Sequence, residues 1–329
     1  MTPLRTTVLG GGAWGTALAA HCVRAGLPVR LWIREPEVAE AVNERRENTV
    51  YLKGVVLPEG VRATSRLDEA LSDAETVLVV VPSEFCRAIY RQASPLAPDR
   101  AVFVSATKGI EVDTLKRMSE VAAAEAPGRP LAVLSGPSFA LEVAKALPTA
   151  VVVASSDHAV AESLQRALST RTFRAYSSED VVGVELAGAL KNIIAIAAGI
   201  VDGLGYGHNT VAALITRGLA EITRLAVALG ARPDTLAGLA GLGDLVLTCT
   251  GALSRNRTVG HRLGRGQPLS QASAGLHPEG VRTTLAACSL AEGKGIEMPI
   301  ARQMKAVLHE GKPPREALDE LMLRSLKRE

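Results

Sequence analysis

The sequence predicts an α/β first half built on a doubly wound sheet and an all-α second half. Three observations carry this. Short, continuously apolar runs alternate with helical segments through the first half, and a strand with no polar face belongs in a parallel sheet covered on both sides. A glycine-rich turn joins the first such run to the first helix. Beyond about residue 180 strand-like runs cease and helical patterns take over. Strands alternating with helices indicate βαβ units.

The elements follow in order. Thr6–Leu9 is a short β-prone run ending in glycines, and Trp14–Ala25 reads as a helix stopped by Gly26. Val29–Ile33 is a second strand. Val77–Val81 is a third, continuously apolar and ended by Pro82. Ala101–Ser105, Leu131–Leu134 (followed by Gly136-Pro137) and Ala150–Ala154 complete the strands. Val184–Leu204 is a long apolar helix or two helices, Thr210–Leu229 is a helix stopped by Gly230, and Thr283–Glu292 and Ile300–Glu310 look helical. The change of pattern divides the chain into residues 1–183 and 184–329. No repeat or low-complexity tract is evident, and Arg324–Glu329 is a charged tail expected to fray.

At 329 residues the chain is long enough for two domains and a sizeable core. Apolar residues make up 47% and charged residues 22%, which excludes a disordered or collagen-like chain. A net charge of +3 does not argue for nucleic acid, and 3% aromatic content leaves no stacking platform for single strands. Small anionic ligands remain compatible. Cys22, Cys86, Cys249 and Cys288 form no C-x-x-C pair and read as core thiols of a reduced, cytoplasmic protein. The first residues run into a strand without the charged and apolar regions of a secretory signal. The most apolar stretch, Ala189–Val201, is interrupted by Lys191 and Asn192 and is too short to span a membrane, so no membrane insertion is expected.

Gly10, Gly12 and Gly15 form G-x-G-x-x-G between a strand and a helix, the context that makes this pattern a Rossmann-like dinucleotide site. Gly10 makes the tight turn, Gly12 lets the backbone approach a pyrophosphate, and Gly15 lets the helix pack on the strand. The helix N-terminus then offers N–H groups to phosphate. The alternative is a glycine turn with only a folding role. At the end of the second strand stand Arg34 and Glu35. Arginine there suits the 2′-phosphate of NADP and an acid suits the 2′-hydroxyl of NAD. The pair favours NADPH or dual use, unless both are merely solvated.

Ligands of open parallel sheets sit beyond the carboxyl ends of the strands. Those ends carry Pro82-Ser83, Thr107-Lys108-Gly109 and Ser135-Gly136-Pro137-Ser138, with Lys108 the cation among them, either a ligand for an anionic substrate or a surface charge. In the second half, Lys191 and Asn192 interrupt an apolar helix. A lysine there either lines a polar cavity or snorkels out. Burial lowers a lysine pKa, which suits proton exchange with an alcohol; the structural reading pairs Lys191 with Glu185 or Asp180. Asn192 could orient its neighbour or the substrate. Asp244, after the run Gly238–Gly243, either caps the next helix, binds a substrate hydroxyl or assists Lys191. Ser254-Arg255-Asn256-Arg257 at a helix start would make a phosphate clamp. His277-Pro278-Glu279-Gly280 is a further polar loop, and no histidine has metal-ligand spacing.

Together, GGGAWGTALA, VLVVVPS, ATKGI, LSGPSFA, LPTAVVVAS, GVELAGALKNIIAIAAGI, ALITRGLAE, GLAGLGDLVLTCT and SRNR resemble the bacterial-type NAD(P)-dependent glycerol-3-phosphate dehydrogenases, in order and over nearly the whole chain. The resemblance implies a homodimer that transfers hydride reversibly between NAD(P)H and dihydroxyacetone phosphate and supplies sn-glycerol 3-phosphate for phospholipids. It implies Lys191 as proton acceptor. It implies substrate contacts at Lys108, Gly136, Ser138, Asp244, Ser254, Arg255 and Asn256, and cofactor contacts at Ala13, Trp14, Arg34, Lys108, Ala140, Arg255 and Glu279. The chain departs from the family pattern at Ala13, usually serine, where only a backbone contact survives. It departs again at His277-Pro278, usually two valine-like residues, which puts the local cofactor contact in doubt. Two other readings stay open: a related dehydrogenase of another small acid, and a non-catalytic NAD(P)H sensor.

Overall fold

The computed structural model describes residues 4–325; of the charged tail, residues 326–329 lie outside this range. The chain divides into two compact units, one of Met1–Lys108 with Lys116–Glu185, the other of Gly109–Leu115 with Leu186 onward. The short excursion at Gly109–Leu115 is absent from a reading with a single cut at 183/184.

The first unit contains β1 (Thr6–Leu9), α1 (Ala13–Arg24), β2 (Val29–Trp32), α2 (Pro36–Arg45), β3 (Val61–Thr64), α3 (Leu67–Leu71), β4 (Thr76–Val79), α4 (Ser83–Ala93), β5 (Val102–Ser105), α5 (Met118–Glu125), β6 (Leu131–Ser135), α6 (Ala140–Ala144), β7 (Thr149–Ala154), α7 (His158–Leu168) and β8 (Phe173–Ser178). The eight strands form one sheet in the order β3-β2-β1-β4-β5-β6-β7-β8. The order runs outward both ways from β1 and β4, so the crevice that opens at their carboxyl ends is the topological switch point. The pleat sorts the apolar runs onto two faces. Val8, Leu78 and Val104 belong to one buried cluster with Leu18 and Leu31. Their neighbours Leu9, Val77, Val79 and Phe103 belong to another with Tyr90 and Met118. Both faces are covered, which is why these strands carry no polar alternation.

Two features depart from the expected sheet. β7 pairs antiparallel with β6, whereas the other pairs are parallel. The helix between them, α6, has five residues, about 7.5 Å at 1.5 Å per residue. The strands β3 and β8 were not expected. They are the two edges of the sheet, and their alternating burial leaves no continuous apolar run to mark them.

The second unit is helical. It comprises most of α8 (Val181–Gly203), then α9 (His208–Ala228), α10 (Pro233–Ala237), a π-helical turn (Leu239–Gly243), α11 (Asp244–Thr250), α12 (Arg255–Gly264), α13 (Leu269–Ala272), α14 (Glu279–Lys294), α15 (Pro299–His309) and α16 (Pro314–Met322). By length and apolarity α8 could cross a membrane, yet its apolar window is completely buried in the fold. It approaches α12 closely. A Cβ on Gly260 would lie 1.9 Å from the Ile196 carbonyl oxygen, and one on Gly199 2.0 Å from that of Arg257.

On α9, Glu221 is 3% exposed and accepts from the Ile300 N–H at 2.8 Å, capping α15 from a distance. Burial raises its pKa from 4.5 to about 7, against the lowering effect of the Ile300 and Ala301 N–H groups. Between those values the folded protein holds a proton that the unfolded chain has released. Raising the pH through this window therefore favours unfolding. Urea midpoints at pH 5 and pH 7.5 should show a decline in the unmodified protein that Glu221→Gln removes; an equal decline in both would show that Glu221 is not its source.

Candidate active site

The glycine turn is shaped as its pattern requires. Gly10 has φ +126°, and a Cβ there would meet the Val80 carbonyl oxygen at 2.4 Å. A Cβ on Gly15 would lie 1.9 Å from the Gly10 carbonyl oxygen. These two glycines are demanded by the protein itself. Gly12 is different, because a Cβ there would meet nothing within 4 Å. Its openness leaves room for a ligand. Gly12 is the N-cap of α1, with no side-chain cap, so the first-turn N–H groups are presented to an anion. Beside them the indole Nε1 of Trp14 is buried with no hydrogen-bond partner, a donor suited to a bound molecule. The turn therefore fits a dinucleotide pyrophosphate.

At the end of β2, Arg34 Nη2 donates to Glu35 Oε1 at 2.8 Å. The two candidate ribose residues are thus an ion pair rather than independent surface charges. At the ends of β5 and β6, Lys108 Nζ donates to the Gly136 carbonyl oxygen at 2.9 Å, and Ser138 Oγ donates to the same oxygen at 3.0 Å. Three expected substrate residues therefore form one cluster, immediately before Ala140 opens α6. Thr107 Oγ1 donates to the Val81 carbonyl oxygen at 2.7 Å and fixes the β5 end against β4.

In the second unit Lys191, Asp244 and Thr248 are all buried. Lys191 Nζ lies 2.8 Å from Asp244 Oδ1 and donates to Thr248 Oγ1 at 2.5 Å. The Thr248 hydroxyl lies 2.6 Å from the Asp244 carbonyl oxygen. Lys191 therefore neither snorkels out nor pairs with Glu185 or Asp180. Glu185 instead receives Arg117 Nη1 at 2.7 Å and the Ser119 hydroxyl at 2.6 Å, while Asp180 accepts from the Gly183 N–H. Asp244 is not the cap of α11 either; it is the first helical residue after the π-helical turn. Cys249, next along α11, has its thiol pKa pushed up to about 12 by burial, which removes it as a nucleophile.

Asn192 and Asn256 are joined. Asn256 Nδ2 donates to Asn192 Oδ1 at 2.9 Å, and the Gly280 N–H donates to Asn256 Oδ1 at 3.0 Å. This chain of bonds links α8, α12 and the start of α14, where Glu279 stands. Ser254 caps α12, its hydroxyl accepting from the Arg257 N–H at 3.2 Å. Arg255 is exposed on the first turn of α12. The second arginine of the expected clamp is committed elsewhere: Arg257 Nη2 donates to Asp202 at 3.0 Å. His277 is exposed just before α14.

Thr248, Asn48 and Tyr51 are not among the residues that the sequence marks as a site. Thr248 was legible in principle, since it lies four residues after Asp244 and so on one helix face. Asn48 and Tyr51 lie in an irregular segment with no periodic signal.

Two family patterns match the chain. The one described as the N-terminus of NAD-dependent glycerol-3-phosphate dehydrogenase covers residues 5–161, and the one described as its C-terminus covers residues 180–319. Glycerol-3-phosphate dehydrogenase (NAD(P)+) of Geobacter sp. (strain M21) is 53% identical over 330 residues, covering 99% of this chain and 98% of its own. The protein of the same name from Koribacter versatilis (strain Ellin345) is 54% identical over 327 residues, covering 97% of each. The crystal structure of glycerol-3-phosphate dehydrogenase from Coxiella burnetii superposes with a TM-score of 0.94 at 42% identity, covering 98% of this chain and 99% of that one.

Proposed function

The chain belongs to the NAD-dependent glycerol-3-phosphate dehydrogenase family, and on that premise we propose that it interconverts dihydroxyacetone phosphate and sn-glycerol 3-phosphate with NAD(P)H. The observation that carries the chemistry is the buried Lys191 held 2.8 Å from Asp244 in a predominantly apolar helix. A lysine that only kept the fold together would more economically be apolar, because burying an ion pair gains little stability over a hydrophobic pair.

Residues 1–183 act as the dinucleotide-binding domain and 184–329 as the substrate-binding and catalytic domain. Gly10, Gly12 and Gly15, with the Ala13 backbone and Trp14, would hold the cofactor's pyrophosphate, and Arg34 would hold its ribose end. Lys108, Ala140, Arg255 and Glu279 complete the cofactor set. Lys108, Gly136, Ser138, Lys191, Asp244, Ser254, Arg255 and Asn256 hold the substrate, with Arg255 and the first turn of α12 suited to its phosphate.

When bound, NAD(P)H supplies the hydride to the carbonyl carbon. As that carbon is reduced, the Lys191 ammonium passes a proton from Nζ to the carbonyl oxygen, which becomes the alcohol. In the oxidative direction the neutral Lys191 amine accepts the hydroxyl proton. Asp244 sets a carboxylate 2.8 Å from the Lys191 Nζ before transfer, and Thr248 fixes the direction of that Nζ. Ala13 removes a side-chain bond that serine would offer, leaving the backbone N–H to do the work there.

The enzyme is further read as a cytoplasmic homodimer that supplies phospholipid backbone. The resemblance supports the assembly and the product's use; the four buried cysteines, none in a disulfide among the described residues, support a reducing compartment.

The test is loss of reduced-nicotinamide absorbance with dihydroxyacetone phosphate, run separately with NADPH and NADH. Rapid oxidation with at least one is expected. Cofactor binding without oxidation would overturn the reaction and leave the sensor reading.

A further inference from the structure

The segment after α2 is tied to the glycine turn at one end and reaches the Arg34–Glu35 pair at the other. Asn48 is completely buried. Its Nδ2 donates to the Gly11 carbonyl oxygen at 2.7 Å and to Thr16 Oγ1 at 2.8 Å, and its Oδ1 accepts from the Tyr51 N–H at 2.9 Å. One side chain therefore fixes both the phosphate turn and the backbone of Tyr51. The Tyr51 hydroxyl in turn donates to Glu35 Oε1 at 3.3 Å, the oxygen that also receives Arg34 Nη2 at 2.8 Å. A single carboxylate oxygen thus has two donors, one cationic and one neutral.

The carboxyl end of β2 is where such a fold sorts the two cofactors. An incoming 2′-phosphate needs the Arg34 guanidinium, whose planar fork matches phosphate oxygens. Taking it strips Glu35 of its cation beside a second anion. The cost falls if Glu35 keeps a donor that the phosphate does not compete for. Tyr51, anchored through Asn48, is positioned as that donor.

We propose that Tyr51 determines cofactor specificity by holding Glu35 when Arg34 turns to a 2′-phosphate, so that the chain accepts NADPH as well as NADH. This rests on the dinucleotide reading above. Burial first, and the Glu35 carboxylate second, raise the Tyr51 phenol above its ordinary pKa, so it remains an O–H donor at neutral pH. NADH needs no such exchange, because Arg34 stays on Glu35 while the other carboxylate oxygen meets the 2′-hydroxyl.

Dissociation constants for NADPH and NADH, read from nicotinamide fluorescence without substrate, test this in four proteins: unmodified, Tyr51→Phe, Glu35→Gln and the double variant. Tyr51→Phe should weaken NADPH about threefold with a much smaller effect on NADH. Glu35→Gln should move the ratio about fivefold toward NADPH, since Arg34 is released and the repulsion removed. In the double variant the effect of Tyr51 should vanish, because no carboxylate needs its donor. A Tyr51→Phe effect equal for both cofactors, as a loosened segment would give, overturns the proposal. So does an effect on NADPH that persists undiminished in the Glu35→Gln background. If the unmodified protein binds neither cofactor, the dinucleotide reading itself falls and this inference with it.

Discussion

Replacing Lys191 with alanine is expected to lower kcat by about a thousandfold, within the range that general acid–base groups contribute, while leaving NAD(P)H affinity nearly intact. The alanine variant has a second consequence that must be separated from the first. Asp244 is 1% exposed, and Lys191→Ala takes away the cation 2.8 Å from its carboxylate, at a cost of about 3–5 kcal/mol. Loss of activity in Lys191→Ala therefore has two sources. Lys191→Arg distinguishes them. Its guanidinium preserves a cation for Asp244 but does not deprotonate in proteins, so it can neither give nor take the proton. The expected result is a melting temperature much closer to that of the unmodified protein, with kcat still down by about a thousandfold. Turnover by Lys191→Arg at the unmodified rate would remove Lys191 from proton transfer and leave it a structural partner of Asp244.

The central strands were legible because each is buried on both faces, and a doubly buried strand writes itself as an uninterrupted apolar run. Val77–Val81 is such a case. The edge strands β3 and β8 were not legible for the converse reason. Arg62 and Arg174 point to solvent and break the run. The antiparallel return of β7 was not legible, because a continuous apolar run shows burial on both faces and not the direction of the strand. Lys191 was legible as a charge inside an apolar helix, but its partner was not. The near acids Glu185 and Asp180 were plausible by sequence, yet each already has its own donors. Asp244 reaches Lys191 only because the π-helical turn (Leu239–Gly243) delivers the start of α11 to α8. Likewise Ser254 and Asn256 read as one anion clamp with Arg255 and Arg257, whereas the fold gives each polar group a distinct task. Ser254 caps, Asn256 bridges to Gly280, and Arg257 pairs with Asp202. Patterns of adjacent polar residues show that a helix start matters; which group faces a ligand is decided by the helices packed beside it.

The glycine turn offers the second large effect, because its three glycines are there for different reasons. Gly12→Ala should raise the dissociation constants of NADPH and NADH by about tenfold to a hundredfold and leave the fold standing. Its φ is −66°, ordinary for any residue, and the added Cβ meets no protein atom within 4 Å. Only the small difference between glycine and alanine as N-cap, under about 1 kcal/mol, weighs on stability. The methyl group would instead occupy the space that the pyrophosphate needs. Gly15→Ala should fail in another way. Its Cβ would sit 1.9 Å from the Gly10 carbonyl oxygen, a backbone atom that cannot give way unless α1 moves off β1. Thermal unfolding should therefore drop sharply in Gly15→Ala and hardly at all in Gly12→Ala, while cofactor binding is lost in both. Tight binding by a stable Gly12→Ala protein would mean that the open space beside Gly12 is not where the phosphates lie, and the anion site would have to be sought away from the N-terminus of α1.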